Sequence, residues 1–268
     1  MRRFSGVFGL LTLASIVVTS GAQGYSGGPL RQVTDLSPTC AACHSSMQKE
    51  QLRVDPEAMQ ASQVVETKHY KAIEEGAGAY KDMSPADRQK LLADVKTMDA
   101  NASVTLSTPA RVRRGQEIQV TATARGGSGA VGVFLLDTDL RHQSRSPSGE
   151  GWLIMGAPKV LGPDGKEQTR WTDSRGPGLK KNINFVLIYD MKSDLAAKKF
   201  PEGKATWTVR APQDPGAYTM VAAFHYGSEK ASPVGSFTTP AGVTFPRGGG
   251  SGPSGHILFS KVQTITVE

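Results

Sequence analysis

Cysteine is nearly absent from this 268-residue chain, which contains only Cys40 and Cys43. Two thiols exclude a disulfide scaffold, and without further cysteines or clustered histidines they do not complete a zinc site. Neither thiol stands at a cleavage point, where a lipid-anchored leader would need one. Most of the chain must therefore fold around a hydrophobic core of its own.

Long hydrophobic runs are also scarce, and the clearest one lies at the N-terminus. Arg2 and Arg3 precede an apolar run from residue 7 to residue 18, which is followed by small residues around Ala22 and Gly24. About a dozen apolar residues is short of the ~20 that cross a bilayer. The layout is typical of a secretory signal peptide. We therefore expect residues 1–24 to be a signal peptide, and the cleaved protein to be periplasmic, at the cell surface or secreted, with no membrane span.

Several signatures of catalysis and nucleic-acid binding are missing. The chain has no Gly-x-Ser-x-Gly, His-Glu-x-x-His, Walker or paired-carboxylate signature, so nothing points to hydrolysis or group transfer. Its aromatic residues, 7% of the total, are not interleaved with basic ones as a nucleic-acid surface requires. Removing Arg2 and Arg3 from the formal charge of +7 leaves +5, which suits either solubility or an acidic redox partner. We predict no enzymatic activity and no nucleic-acid partner.

The sequence Cys40-Ala41-Ala42-Cys43-His44 has the spacing of a c-type haem attachment site. Its two thiols can add to the two vinyl groups of haem, and the next imidazole is placed to bind the iron. The alternatives are a disulfide, a redox-active Cys-x-x-Cys pair or half of a zinc site. The sequence predicts one covalent haem c, attached at Cys40 and Cys43, with His44 as the proximal ligand.

Helical patterns occupy the chain from Cys40 to Met98. One helix is predicted from Asp55-Pro56-Glu57, an N-cap with proline in the first turn, to Glu75, where Gly76 and Gly78 end it. A second begins at the capping box Ser84-Pro85-Ala86-Asp87 and ends near Asn101. We expect residues 25–102 to form a helical haem-binding segment.

The distal side of the haem has two main candidates, His69 and Met83. His69 lies among Val65, Ala72 and Ile73 on the apolar face of the first helix, where iron would satisfy a buried imidazole. The competing interpretation is a hydrogen-bonded core histidine. Met83 precedes the last helix, as the distal methionine does in many small cytochromes c, but a hydrophobic residue there is also typical of a staple next to an N-cap. His69 is the candidate distal ligand and Met83 the alternative.

From Val104 onward the pattern changes to short β-strands rich in Val, Thr, Ile and aromatic residues. Strands are predicted at residues 116–124, 131–136, 183–189, 205–210, 218–224 and 257–267, separated by Gly- and Pro-containing turns. Trp152, Trp171 and Trp207 are expected in the core. His225 and His256 near strand ends could meet as a metal pair, although each is more often structural. We predict that residues 103–268 form a β-sandwich, giving an α+β protein.

Two stretches carry a resemblance to a known class of protein. Arg113 to Val120 and Ala211 to Met220, the second with a Pro-Gly-x-Tyr strand start, are similar to exported bacterial immunoglobulin-like sandwiches. With Tyr25-Ser26-Gly27-Gly28-Pro29 ahead of the haem motif, the chain resembles secreted bacterial proteins that join a monohaem cytochrome c segment to a reeler-like or choice-of-anchor-like domain. The resemblance implies an immunoglobulin-like fold for the second unit. It assigns no catalytic residue.

Together these features predict an exported monohaem cytochrome c that transfers electrons to or from a redox protein or a membrane or surface complex. The β-sandwich would then be a docking module. One alternative is a five-coordinate haem that binds or converts a small ligand. Another is a surface interaction or structural subunit in which haem is secondary. Electron transfer and ligand binding differ in whether a protein side chain fills the distal position of the iron.

Overall fold

The computed structural model describes residues 69–139, 144–247 and 256–268. The predicted signal peptide, the haem motif and most of the first predicted helix lie outside these ranges. What is described consists of a small helical unit followed by a much larger β unit. In the described ranges, no helix is long and apolar enough to cross a membrane.

The helical unit contains two helices, α1 (Lys71–Glu75) and α2 (Pro85–Asn101). His69 and Tyr70 form a π-helical stretch directly before α1. Gly76 ends α1 in the left-handed conformation with φ 71°, where a glycine has no steric penalty. Ser84 caps α2, because its hydroxyl accepts a hydrogen bond from the Asp87 amide at 3.1 Å. The predicted ends at Gly76, Ser84 and Asn101 are confirmed.

The apolar face of α2 serves two cores. Leu91 and Val95 pack with Ile73, Tyr80 and Met83 in a small helical cluster. One turn further on, Met98 belongs to the large core of the β unit. The helix therefore fastens the helical unit to the β unit along a single face, as its 3.6-residue period requires.

The described ranges contain thirteen strands and one further short helix, α3. The strands are β1 (Ser103–Ser107), β2 (Arg111–Val112), β3 (Glu117–Arg125), β4 (Ser128–Leu136), β5 (Leu153–Ile154), β6 (Lys159–Leu161), β7 (Phe185–Lys192), β8 (Glu202–Arg210), β9 (Gly216–Tyr226), β10 (Ser236–Thr238), β11 (Thr244–Pro246), β12 (His256–Phe259) and β13 (Gln263–Val267). Helix α3 (Arg170–Asp173) lies in the connection between β6 and β7. All six predicted strand regions are confirmed, and residues 257–267 divide into β12 and β13.

Two sheets face each other across the core. One has the order β1-β3-β8-β5, with β6 also paired to β8, and the other has the order β2-β13-β9-β4-β7, with β12 also paired to β9. All pairs are antiparallel except β2 with β13. Strands β3 and β8 alternate between buried and more exposed residues, as strands with one face on a core should. The predicted β-sandwich is confirmed.

The strand order is that of an immunoglobulin-like sandwich. Strands β1, β3, β8 and β5 occupy the positions A, B, E and D, and β4, β9 and β13 occupy C, F and G of the opposite sheet. Near the start of β9, the Tyr218 hydroxyl donates to the Asp214 carbonyl at 3.0 Å. This is the tyrosine corner expected at that position of the fold. The Pro-Gly-x-Tyr pattern of the sequence marks this corner.

Large aromatic side chains fill the space between the sheets. Trp152, Trp171 and Trp207 are all buried, which confirms their predicted place in the core. The Trp207 indole donates to the Ile183 carbonyl at 2.8 Å, and the Trp171 indole donates to the Phe185 carbonyl at 3.2 Å. Each of these hydrogen bonds offsets the free-energy cost of burying the N–H group of an indole.

Candidate functional site

The residues of the predicted haem attachment site, Cys40, Cys43 and His44, lie outside the described residues. Covalent haem attachment therefore stays a prediction. The structure does describe both distal candidates, His69 and Met83. It places them in different surroundings.

His69 is buried, with only 1% of its surface exposed. Its Nε2 atom lies 2.5 Å from Glu229 Oε1, and its Nδ1 atom lies 2.7 Å from His256 Nε2. Both ring nitrogens thus have partners from the β unit. The predicted burial of His69 is confirmed, and binding iron would require one of these two contacts to open.

Glu229 is a fully buried carboxylate in the short turn after β9. Besides its contact with His69, Oε1 accepts a hydrogen bond from the Tyr80 hydroxyl at 2.6 Å. Burial opposes ionisation, but the charge and hydrogen bond of His69, together with Tyr80, outweigh it and lower the pKa of Glu229 to about 2. Its second oxygen, Oε2, has no hydrogen-bond partner within the described residues.

His256 occupies the first position of β12, directly opposite Tyr226 of β9. Its Nδ1 atom lies 2.8 Å from Asp99 Oδ1. Asp99 also accepts hydrogen bonds from the hydroxyls of Tyr70, Tyr226 and Ser228 at 2.8, 3.1 and 2.6 Å. Burial would raise the pKa of Asp99, but the attraction of His256 and these hydrogen bonds lower it.

These contacts form one continuous row, which we call the carboxylate–imidazole chain: Glu229, His69, His256 and Asp99. Tyr80 extends it at the Glu229 end, and Tyr70, Tyr226 and Ser228 surround the Asp99 end. Burial lowers the pKa of His69, but the charge of Glu229, its hydrogen bond and the charge of Asp99 outweigh burial and raise it. The carboxylate–imidazole chain thus places two carboxylates and two imidazoles at the junction of the helical unit and the sandwich.

The carboxylate–imidazole chain has a proton-counting constraint. If each imidazole donates its outer N–H to a carboxylate, the inner nitrogens, His69 Nδ1 and His256 Nε2, both present lone pairs across 2.7 Å. Two facing lone pairs repel each other. One of the two inner nitrogens must therefore carry a proton and donate it to the other.

Met83 lies in the apolar cluster of the helical unit and is 7% exposed. It precedes the Ser84 cap, which is the position that a hydrophobic residue flanking an N-cap takes. Its thioether is buried beside Ile73, Tyr80 and Leu91. Ligation by Met83 stays a prediction, because the haem motif lies outside the described residues.

His225 does not join His256. In the register of β9 with β12, His256 pairs with Tyr226 and Ile257 pairs with His225. Neighbouring residues of a strand point to opposite faces, so His225 and His256 are on opposite faces of the sheet. In the described part of the chain, no group of three or more His, Cys, Asp or Glu side chains is arranged to hold a metal ion.

Sequence reasoning found His69 and His256 but missed both of their carboxylate partners. Glu229 stands in Gly227-Ser228-Glu229-Lys230, which has the composition of a solvated turn. Asp99 lies in the last turn of a helix. The only local signal was His69 itself, because a histidine on an apolar helix face must find a buried polar partner.

Comparisons with known proteins identify no family. No family model matches the chain and no curated protein matches it. A collagen-binding domain from a Staphylococcus aureus adhesin aligns at 9% identity and a TM-score of 0.28, covering 62% of this chain and 96% of its own. AvmM, which catalyses macrocyclization in alchivemycin A biosynthesis, aligns at 11% identity and a TM-score of 0.27, with coverages of 62% and 87%. The immunoglobulin-like assignment rests on strand order and the tyrosine corner, not on these similarities.

Proposed function

We propose that this protein is an exported monohaem cytochrome c that transfers electrons without catalysing a reaction. The observation that carries the proposal is the sequence Cys40-x-x-Cys43-His44 downstream of a signal-peptide pattern. Haem c, when attached there, supplies a reversible one-electron Fe(III)/Fe(II) couple. Cys40 and Cys43 would hold it covalently, and His44 would supply the proximal imidazole.

The distal position is best assigned to Met83, with His69 as the alternative. Both ring nitrogens of His69 are engaged, one by Glu229 and one by His256. Withdrawing His69 would leave a buried carboxylate or imidazole without its partner, which costs several kcal/mol, about 3–5 for a buried pair. Withdrawing Met83 from its apolar cluster would leave no buried charge or polar group without a partner.

The sandwich is proposed to dock the cytochrome on a redox partner or a membrane or surface complex in the periplasm or at the cell surface. The β unit holds the helical unit through Met98 of α2, which belongs to the core of the β unit. The formal charge of the chain is positive. A positive protein approaches an acidic partner faster at low salt. The proposal therefore includes an acidic redox protein as partner.

The decisive experiment is expression of the full chain in a host with cytochrome c maturation, followed by mass spectrometry and absorption spectroscopy. We expect one covalent haem and its loss in the Cys40→Ala, Cys43→Ala double variant. Loss of the methionine-to-iron charge-transfer band in Met83→Ala would support Met83. Met59, a methionine within the first predicted helix, provides the control, because Met59→Ala should retain the band. Absence of covalent haem from the folded wild type would overturn the proposal.

A second function, binding of a small ligand at a five-coordinate haem, is favoured by one observation. His69 contacts the β unit and Met83 packs in an apolar cluster. Both side chains thus have partners other than iron. Carbon monoxide distinguishes the two functions. Rapid, tight binding to the reduced wild-type protein would favour ligand binding, whereas slow binding that Met83→Ala accelerates would favour electron transfer.

A further inference from the structure

Two arginines contact the turn that leads to Met83, the proposed distal ligand. Arg88 Nη1 donates to the Met83 carbonyl at 3.4 Å. Arg247 Nη1 donates to the Ala79 carbonyl at 3.2 Å and to Asp82 Oδ1 at 2.8 Å. None of these contacts involves the Met83 side chain. The two guanidiniums therefore stand beside Met83 whichever way its thioether points.

Each guanidinium leaves one edge without a partner among the described residues. Both side chains donate through Nη1, and the Nε atoms of Arg88 and Arg247 are buried there with no hydrogen-bond partner. A buried N–H group without a partner is rare and needs an explanation. The Nε and Nη2 atoms form an edge that can bind a carboxylate through two parallel hydrogen bonds. A carboxylate on each edge would supply the missing acceptors.

The fold makes room for the Arg88 guanidinium but leaves its charge unbalanced. Gly76 lies next to it, and a Cβ atom at Gly76 would stand 2.5 Å from Nη1. Within the described residues Arg88 forms no ion pair, whereas Arg247 pairs with Asp82. The Arg88 side chain is half-buried. Because a charge removed from water needs a counter-charge, its partner should be an anion.

An aromatic surface lies next to Arg247. Phe237 and Phe245 are paired across β10 and β11, with ring centres 5.9 Å apart, and are 37% and 39% exposed. The Arg247 guanidinium lies 5.9 Å from the centre of the Phe237 ring. A ligand that covers these rings and meets the guanidinium has an apolar body and a carboxylate at its edge. Haem has this chemistry, since its apolar macrocycle carries two propionates.

We propose that Arg88 and Arg247 bind the two propionate carboxylates of haem c through their Nε and Nη2 atoms. The inference rests on the proposed cytochrome function and on Met83 as the distal ligand. Each guanidinium places a positive charge near the iron, which favours Fe(II) over Fe(III). The two arginines thus orient the haem edge and raise its reduction potential.

The test compares the reduction potential of the full chain carrying its haem with that of variants at Arg88. Arg88→Gln removes the charge, Arg88→Glu reverses it, and Arg88→Lys keeps the charge without the planar fork. At a fixed ambient potential, Arg88→Gln should lower the ratio of reduced to oxidised haem by about three- to tenfold, tenfold being about 59 mV for one electron. Arg88→Glu should lower it further, and Arg88→Lys should recover most of the loss. Spectroelectrochemical titration measures the ratio.

Lys81→Gln is the matched control. Lys81 has the same charge and lies in the same turn, but its side chain is exposed. Because water and salt screen an exposed charge, its loss should change the ratio by less than about twofold. Arg247→Gln should lower the ratio as Arg88→Gln does.

Three results from protein that carries covalent haem would overturn the propionate site alone. They are an unchanged ratio in folded Arg88→Gln, an equal fall in Lys81→Gln, and an iron spectrum that Met83→Ala leaves unchanged. Circular dichroism verifies folding, and Arg247→Gln decides in the same way if Arg88→Gln does not fold. Absence of covalent haem from the wild type, measured by mass spectrometry, would overturn the cytochrome function together with the propionate site.

Discussion

Glu229 shows how much one residue can depend on its neighbours. Its carboxylate is fully buried, so its charge is tolerated only because His69 and Tyr80 contact it. Removing one member of a buried ionic pair leaves an uncompensated group. The stability of the junction between the two units is therefore tied to the ionisation of a single side chain.

We expect the free energy of unfolding to fall as the pH is lowered from about 4.5 towards 2, because the pKa of Glu229 is about 2 in the folded protein against 4.5 ordinarily. A depressed carboxyl pKa contributes stability that is complete above the unfolded value and lost as pH falls through the folded one. Glu229→Gln should remove this part of the pH dependence and destabilise the protein at pH 7 by about 3–5 kcal/mol. Urea unfolding across this pH range measures both effects.

Glu75→Gln is the matched control. Glu75 is exposed and pairs only loosely with Lys71, at 3.7 Å, so its replacement should leave the acid dependence as it is in wild type. An acid dependence in Glu229→Gln equal to that of wild type would contradict the assignment of the effect to Glu229.

At the scale of elements, helix α2 depends on a single cap at its start. The Ser84 hydroxyl accepts from the Asp87 amide, and Pro85 occupies the first turn without needing a backbone donor. Because α2 packs on both cores, fraying of its first turn would loosen Met83 and Leu91 in the helical cluster.

Ser84→Ala should therefore destabilise the protein by about 1 kcal/mol, because alanine has no side-chain oxygen to accept the hydrogen bond from the Asp87 amide. Ser84→Thr keeps an acceptor and should retain most of the stability. Chemical denaturation followed by far-ultraviolet circular dichroism measures the difference. Equal stability of the alanine and threonine variants would show that the cap contributes nothing.

Elements with local signals could be predicted from the sequence. Gly76 and Ser84 marked the helix ends, and alternating β-branched residues marked β3 and β8, because each signal depends on a few neighbouring residues. The short strands β2, β5 and β6 were not individually predicted. Two or three residues carry no period, and these strands exist only because β13 and β8 offer them an edge.

At the scale of the whole molecule, Trp207 joins the two sheets. It is fully buried on β8, and its indole donates to the Ile183 carbonyl just before β7 of the opposite sheet. One side chain thus fills volume and satisfies a buried carbonyl at once. The stability of the sandwich should respond strongly to its loss.

Trp207→Ala should cost about 3–5 kcal/mol, the usual cost of deleting a large aromatic side chain from a core. Trp207→Phe should cost less than the alanine variant, because it keeps a ring and loses the indole donor. Leu153→Ala is the control, since Leu153 is 47% exposed and its change should stay within about 0.5 kcal/mol. Guanidinium unfolding monitored by circular dichroism provides the values, and equal costs for Trp207→Ala and Leu153→Ala would contradict this role.

The candidate site could be predicted only in part, for a reason that belongs to the whole molecule. His69 was recognisable because one helix face determines its burial. Its partners Glu229 and His256, and Asp99 beyond His256, come together only through the pairing of β12 with β9 and the docking of α2. No local pattern encodes such a register, so neither carboxylate could be assigned from the sequence.

The long separation between His69 and His256 also has a consequence for the order of assembly. Closing a chain across 187 residues costs entropy that is recovered only when distant strands have paired. His69 therefore meets its β-unit partners late, after β12 has joined β9. Until then its imidazole is free to take another ligand, so the time at which the sandwich closes helps to decide which partner His69 keeps.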